Sequence, residues 1–188
     1  IINNLMVNNT ASSVGGAMMI YSSSNPILIN NTIAYNTSST GGGIYFGNSN
    51  GLVKNCIIYG NTASSQGYNQ IYGVAQNISN CNIEGGYSYG TNIIDTIPGF
   101  VAPSTGVGSS YDGLSADYSL SSNSPLIDIG DNSVLNIGGP NFDIAGNFRY
   151  DNNRVDIGAY EYISSTEVCG TISTNTTWSG NILMNCDV

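Results

Sequence analysis

The sequence predicts an all-β fold: a right-handed parallel β-helix, or solenoid, followed by an irregular, acidic, cap-like region. Three observations carry this. Asparagine-headed segments recur about every 25 residues, Gly, Tyr, Asn, Ser and Thr abound, and ten of the twelve acids lie beyond residue 100. Only 8% of the 188 residues are charged while 40% are hydrophobic, so the chain can bury a core, and no stretch keeps a helical period.

Residues 1–97 form the coils. Asn4, Asn31, Asn55 and Asn80 head the segments NLMV, NTIA, NCII and NCNI at spacings of 27, 24 and 25 residues, which is a solenoid period. Leucine-rich repeats share the period but need closely spaced leucines, which are scarce here. With each Asn as a bend, Leu5/Val7, Thr32/Ala34, Cys56/Ile58 and Cys81/Ile83 are expected to face inward, as are Ile2, Ile29, Val53 and Ile78 two positions before the bends. On a further side Ala17, Ile44 and Ile71 align, as do Met19, Phe46 and Gly73. Parallel crossovers are right-handed by the general rule. Asn at recurrent bends reads first as a residue that tolerates the left-handed conformation, not as a ligand.

Strand alternation turns Tyr45 and Tyr72 outward beneath Met18, and Tyr35 and Tyr59 outward in a second row. Such rows stack on sugar rings or on one another, and stacking within the sheet is favoured because the repeat itself creates the rows. These four tyrosines are the candidate ligand-binding residues. Cys56 and Cys81 occupy equivalent inward positions and are expected to be free and buried, whereas Cys169 and Cys186 are the better disulfide candidates.

Beyond residue 97 the repeat fades. Four motifs follow: D-Y-x-L (117–120), S-P-x-I-D-x-G (124–130), D-x-x-G-N-x-R (143–149) and D-I-G-A-Y-E (156–161). Together they resemble the choice-of-anchor Q group of secreted bacterial proteins, in which such a segment follows right-handed β-helix coils. The resemblance covers residues 98–163 and implies a secreted or cell-surface setting, but no reaction. Residues 164–188 look like the start of a further β-module. The chain opens within a repeat, so it is expected to be a segment of a longer protein.

In the acidic region Asp128, Asp143 and Asp156 are expected to accept bonds from backbone N–H groups or from Arg149 and Arg154. The competing expectation is a Ca²⁺ ion among Asp128, Asp131, Asp143, Asp151 and Asp156, since calcium takes six to eight oxygens, although no EF-hand spacing is present. No other cofactor is expected.

Charge and composition limit function. A formal charge of −9 with three Lys+Arg disfavours nucleic acid and anionic membranes, and no apolar span is long enough to enter a bilayer as a helix. Without histidine there is no Ser/His/Asp or Cys/His site. The coils offer only Lys54, Glu84 and Asp95, too few for a lyase or for paired hydrolase carboxylates. The expected function is therefore non-catalytic: an adhesive or structural segment of a large surface protein, with surface polysaccharide or further domains of the same chain as partners. The alternative is an ancillary part of a polysaccharide-active β-helix enzyme with carbohydrate-binding faces.

Overall fold

Residues that tolerate a left-handed bend, placed between short apolar strands at a fixed period, wind a chain into stacked coils. The computed structural model shows this. It describes residues 1–164 except 66–67, 75–76, 105, 107, 140 and 150–153, and beyond them only the strands Thr166–Glu167 and Ile182–Leu183. Asp151, Cys169 and Cys186 lie outside the described residues.

Strands are numbered in chain order. One parallel sheet stacks β1 (Leu5–Val7), β4 (Thr32–Ala34), β8 (Ile57–Tyr59) and β12 (Asn82–Ile83). A second stacks β2 (Met18–Tyr21), β6 (Ile44–Gly47) and β10 (Ile71–Tyr72), and a third β3 (Ile27–Ile29), β7 (Leu52–Lys54) and β11 (Asn77–Ser79). The short pair β5 (Thr37–Ser38) and β9 (Thr62–Ala63) adds a fourth side. The result is a parallel β-solenoid of about three turns.

The register corrects the expected alignment. Leu5 pairs with Thr32, Thr32 with Ile57 and Ile57 with Asn82, so Asn4 and Asn31 stack over Cys56 and Cys81, not over Asn55 and Asn80. The bend column is instead Asn3, Asn30, Asn55 and Asn80, all left-handed with φ of 54°, 51°, 50° and 53°. Two adjacent asparagines open each early coil, and only the bend residue stays Asn later. A one-residue slip reverses every side chain. In the early coils the inward residues are thus Met6, Leu28 and Ile33, which join Val53, Ile58, Ile78 and Ile83 in the core, while Leu5, Ile29 and Thr32 face out. On the second sheet Met18, Ile44 and Ile71 align, as do Ile20, Phe46 and Gly73, so Met19 and not Met18 stands in the row of Tyr45 and Tyr72.

Two columns of inward polar side chains tie coil to coil. Asn4 N–H donates to Asn31 Oδ1 (2.9 Å), while Asn31 Nδ2 donates to the carbonyl of Ile29 (3.1 Å). Below them sulfur takes the same place. The N–H groups of Asn31 and Cys56 point to the sulfurs of Cys56 (3.5 Å) and Cys81 (3.3 Å), and each thiol donates two residues back, to Lys54 O (3.3 Å) and Ser79 O (3.2 Å). Both cysteines are free and buried, as their inward positions require. The second column runs Asn9, Asn36, Asn61: the N–H groups of Asn9 and Asn36 donate to the next side-chain oxygen at 2.9 Å, and that of Asn61 ends the column on Gln70 Oε1 at 3.3 Å. Buried amides satisfied in this way hold register without an apolar contact.

The acidic region lies along the side of the solenoid. Its only described sheet is the antiparallel pair β13 (Phe100–Ala102) and β14 (Asp117–Leu120); turns and a 3-10 turn at Asn132–Asn136 make up most of the rest. Leu120, Leu126 and Ile157 pack on outward Ile57, and Val134 and Val155 on outward Ile29. The bend asparagines grip it. Asn30 donates to Asp156 O and Gly158 O (3.2 and 3.3 Å), Asn55 exchanges two bonds with the backbone of Asp131, and Asn8 donates to Ser104 O (2.8 Å). Thus three outer residues that alternation would give to solvent, Ile29, Thr32 and Ile57, are buried.

Candidate functional site

The face formed by β2, β6 and β10 remains open. Met19, Tyr45 and Tyr72 stand outward in one column, and Tyr21 stands outward two residues on, in register with Gly47. Gly47 makes room. A Cβ there would lie 2.3 Å from Tyr21 Cδ2 and 2.9 Å from Tyr45 Cε1, so both rings lean over it. Below Gly47 the column continues to Val74, and Tyr68 and Tyr89 also line the space. These residues bound a groove of about 870 Å³ with Asn25, Asn48 and Asn50 among its polar lining, a size within the usual range of ligand pockets. No Asp, Glu, Lys or Arg is among the described lining residues.

The predicted tyrosines divide. Tyr45 and Tyr72 stack face to face, with centroids 4.7 Å apart and planes within 6°, and Tyr68 sits edge-on to Tyr72 at 4.7 Å. They offer edges and hydroxyls rather than open faces. Tyr35 and Tyr59 do not form a ladder row, because Tyr59 pairs with Ala34 while Tyr35 occupies the second left-handed bend at φ 55°. Its ring lies over Gly60 and within 6.2 Å of the Tyr118 ring of the acidic region. Burial raises its pKa, with the Tyr59 and Glu84 charges adding to the rise. Tyr35 is thus a packing residue. Among the rings lining the groove, the most exposed are Tyr21 (52%), Tyr89 (61%) and Tyr68 (42%), which the repeat could not reveal: Tyr21 has glycine beneath it, and Tyr68 and Tyr89 lie where the coils depart from the period.

A second pocket of about 480 Å³ shares Tyr68, Gly73 and Tyr89 with the groove and reaches Glu84. That carboxylate is engaged, since its Oε2 accepts from Gly60 N (3.0 Å) and Gln70 Nε2 (2.6 Å).

The acidic residues use their oxygens on protein donors. Asp143 accepts from the N–H groups of Ala145, Asn147 and Glu161, and Asp156 from those of Asp128 and Tyr162. Asp131 caps the 3-10 turn through Ser133 N and pairs with Lys54 at 2.7 Å; the hydrogen bond from Lys54 chiefly holds its carboxyl below the usual range. Arg154 donates to the carbonyls of Gly130 (3.1 Å) and Ile129 (3.2 Å). Among the described residues no three acids or thiols converge to hold a cation; Asp151, the fifth candidate ligand, lies outside them.

Arg149 is a buried charge. It is fully buried and donates to Asn3 Oδ1 (2.7 Å), Gly158 O (3.0 Å), Ala159 O (2.8 Å) and Glu161 Oε2 (3.3 Å). One cation thus faces the carboxylates Asp143, Asp156 and Glu161. Burial pushes Glu161 up to about 9, with the Asp156 charge adding to the rise against the pull of Arg149, and burial pushes Asp156 up to about 6. Glu161 Oε1 is buried with no hydrogen-bond partner. Holding a proton on Glu161 relieves the excess of negative charge.

No family profile, curated protein or solved structure matches the chain. Among the described residues no helix is long and apolar enough to cross a membrane.

Proposed function

We propose that this chain is a non-catalytic, adhesive segment of a larger secreted or cell-surface bacterial protein, and that its open tyrosine face binds carbohydrate. The observation that carries the reading is the groove itself, which combines exposed aromatic rings with side-chain amides and has no ionisable acid or base among its described lining residues. Aromatic faces and amides suit sugar recognition, while glycosidic cleavage needs a carboxylate pair. The motifs at 117–120, 124–130, 143–149 and 156–161, which resemble the choice-of-anchor Q group, support the surface setting. The lateral packing of this region on three coils gives it a structural role that needs no chemistry of its own.

The test is co-sedimentation of the purified chain with insoluble polysaccharides and bacterial cell walls, with soluble sugar release measured in the same tubes. Retention without release is expected. Release of reducing or unsaturated ends would instead favour a part of a polysaccharide-active enzyme, and absence of retention on every surface would remove the adhesive reading.

A further inference from the structure

We infer that the groove takes a neutral glycan chain, held on the open faces of Tyr21 and Tyr89, with the Tyr45–Tyr72 stack as a fixed wall. This rests on the adhesive reading above and names its ligand class and contact residues.

Tyr45 and Tyr72 cover each other, and Tyr68 abuts Tyr72, so these rings are fixed by their neighbours. Tyr21 and Tyr89 each keep more than half of their area exposed. The axial C–H bonds of a pyranose carry partial positive charge, and they meet the negative face of an aromatic ring favourably. Aromatic rings of few rotamers provide that surface at low entropic cost.

Charge then selects among glycans. No cation is among the described lining residues, and the chain carries −9 overall, so a polyuronate or sulfated chain would be repelled with nothing to pair it. A neutral chain meets no such penalty, and its hydroxyls can exchange hydrogen bonds with Asn25, Asn48 and Asn50, which are all exposed. The same lack of charge argues against a peptide partner recognised through salt bridges.

Shape points the same way. The groove crosses three rungs through Tyr21, Gly47 and Val74, a run of roughly 10 Å at ~4.8 Å per rung, the reach of a short linear oligosaccharide. It lies on the face of a sheet, so strand addition by a peptide is not offered there. Gly47 is the narrow point, because any larger residue displaces the Tyr21 ring.

Calorimetric titration with cello-, xylo-, manno- and malto-hexaose, polygalacturonate and chitosan hexamer decides the proposal. Binding is expected to at least one neutral hexaose, with little change between low and high salt. Tyr21→Ala and Tyr89→Ala should each weaken it by about tenfold, and Gly47→Ala by a similar factor with every tyrosine kept. Circular dichroism and melting temperature report whether each variant is folded; Tyr21→Leu and Tyr89→Leu, which keep apolar bulk but lose the ring face, replace any that is not. Binding confined to polygalacturonate or chitosan, or neutral binding untouched by all these variants, would overturn the inference while leaving an adhesive segment standing. Loss of retention on every surface in the sedimentation test would overturn the adhesive reading itself.

Discussion

Replacing Glu161 by glutamine should stabilise the protein at neutral pH. Glu161 is buried, and its carboxyl is raised from about 4.5 to about 9, so between these values the folded state holds a proton that the unfolded chain has released. A raised folded pKa means that the associated stability is fully present below pH ~4.5 and is lost as pH rises toward ~9. Each pH unit in that window costs about 1.4 kcal/mol, so about 3 kcal/mol is missing at pH 7 relative to pH 4.5. Glutamine is neutral in both states, and its oxygen can still accept from Arg149 Nη1 and Asp156 N–H, the bonds now made by Glu161 Oε2. Its amide nitrogen replaces Oε1, which has no hydrogen-bond partner to lose. Urea unfolding followed by circular dichroism between pH 6.5 and 8 is the assay. The chain has no histidine to titrate there, and Asp156, raised to about 6, is largely ionised across that range. The unsubstituted protein should lose about 1.4 kcal/mol per unit and Glu161→Gln should be nearly flat, the two converging toward pH 4.5. A flat profile without the substitution, or an unchanged slope with it, would refute the buried-proton argument.

Asn36→Ala removes the centre of an amide column, taking away the acceptor of the Asn9 N–H and the side-chain donor to Asn61 Oδ1 and the Met6 carbonyl, and should cost ~2 kcal/mol in urea unfolding. Gly158→Ala should loosen the acidic region by ~2 kcal/mol, because φ is 110° and the new Cβ would stand 2.6 Å from Ile57 Cδ1; faster protease cleavage within residues 98–163 is the readout. Asp143→Asn turns an NH2 group toward donors now bound by Asp143 Oδ2, the Glu161 N–H and Asn147 Nδ2, so it should lower the melting temperature equally with calcium or with a chelator. A chelator-induced drop in the unsubstituted protein, restored by calcium, would show that a cation does bind among the acids.

The solenoid was legible because its period is written in bends: left-handed Asn, and glycine at the second bend of later coils, mark each turn without reference to anything distant. The exact register was not. Asn30 and Asn31 are adjacent, and taking Asn31 as the bend exchanges the faces of Thr32 and Ile33 and of the whole strand with them. Ile29 is buried from outside the coil and not from within as alternation suggested, and burial of Ile57 had no local sign, because their partners, Val134, Val155, Leu126 and Ile157, lie far along the chain. The groove was half legible. Tyr45 and Tyr72 follow from the repeat, but Tyr21 depends on the missing side chain of Gly47, and Tyr89 on a turn that has left the period. Arg149 gave no local sign that it would be fully buried beside Asn3, since that contact joins the start of the chain to its far region.

The inward amide columns also have a direction along the chain. The N–H of Asn9 is satisfied by the side chain of Asn36, that of Asn36 by Asn61, and that of Asn4 by Asn31, so each coil supplies the acceptor that its predecessor lacks. A coil without its successor therefore leaves that donor unmet, and each added coil completes the one before. Gln70 ends the sequence: it reaches back nine residues within the chain to serve Asn61, where the next amide rung would otherwise be needed. A stack begun in this way needs a terminator, and a single glutamine side chain supplies it.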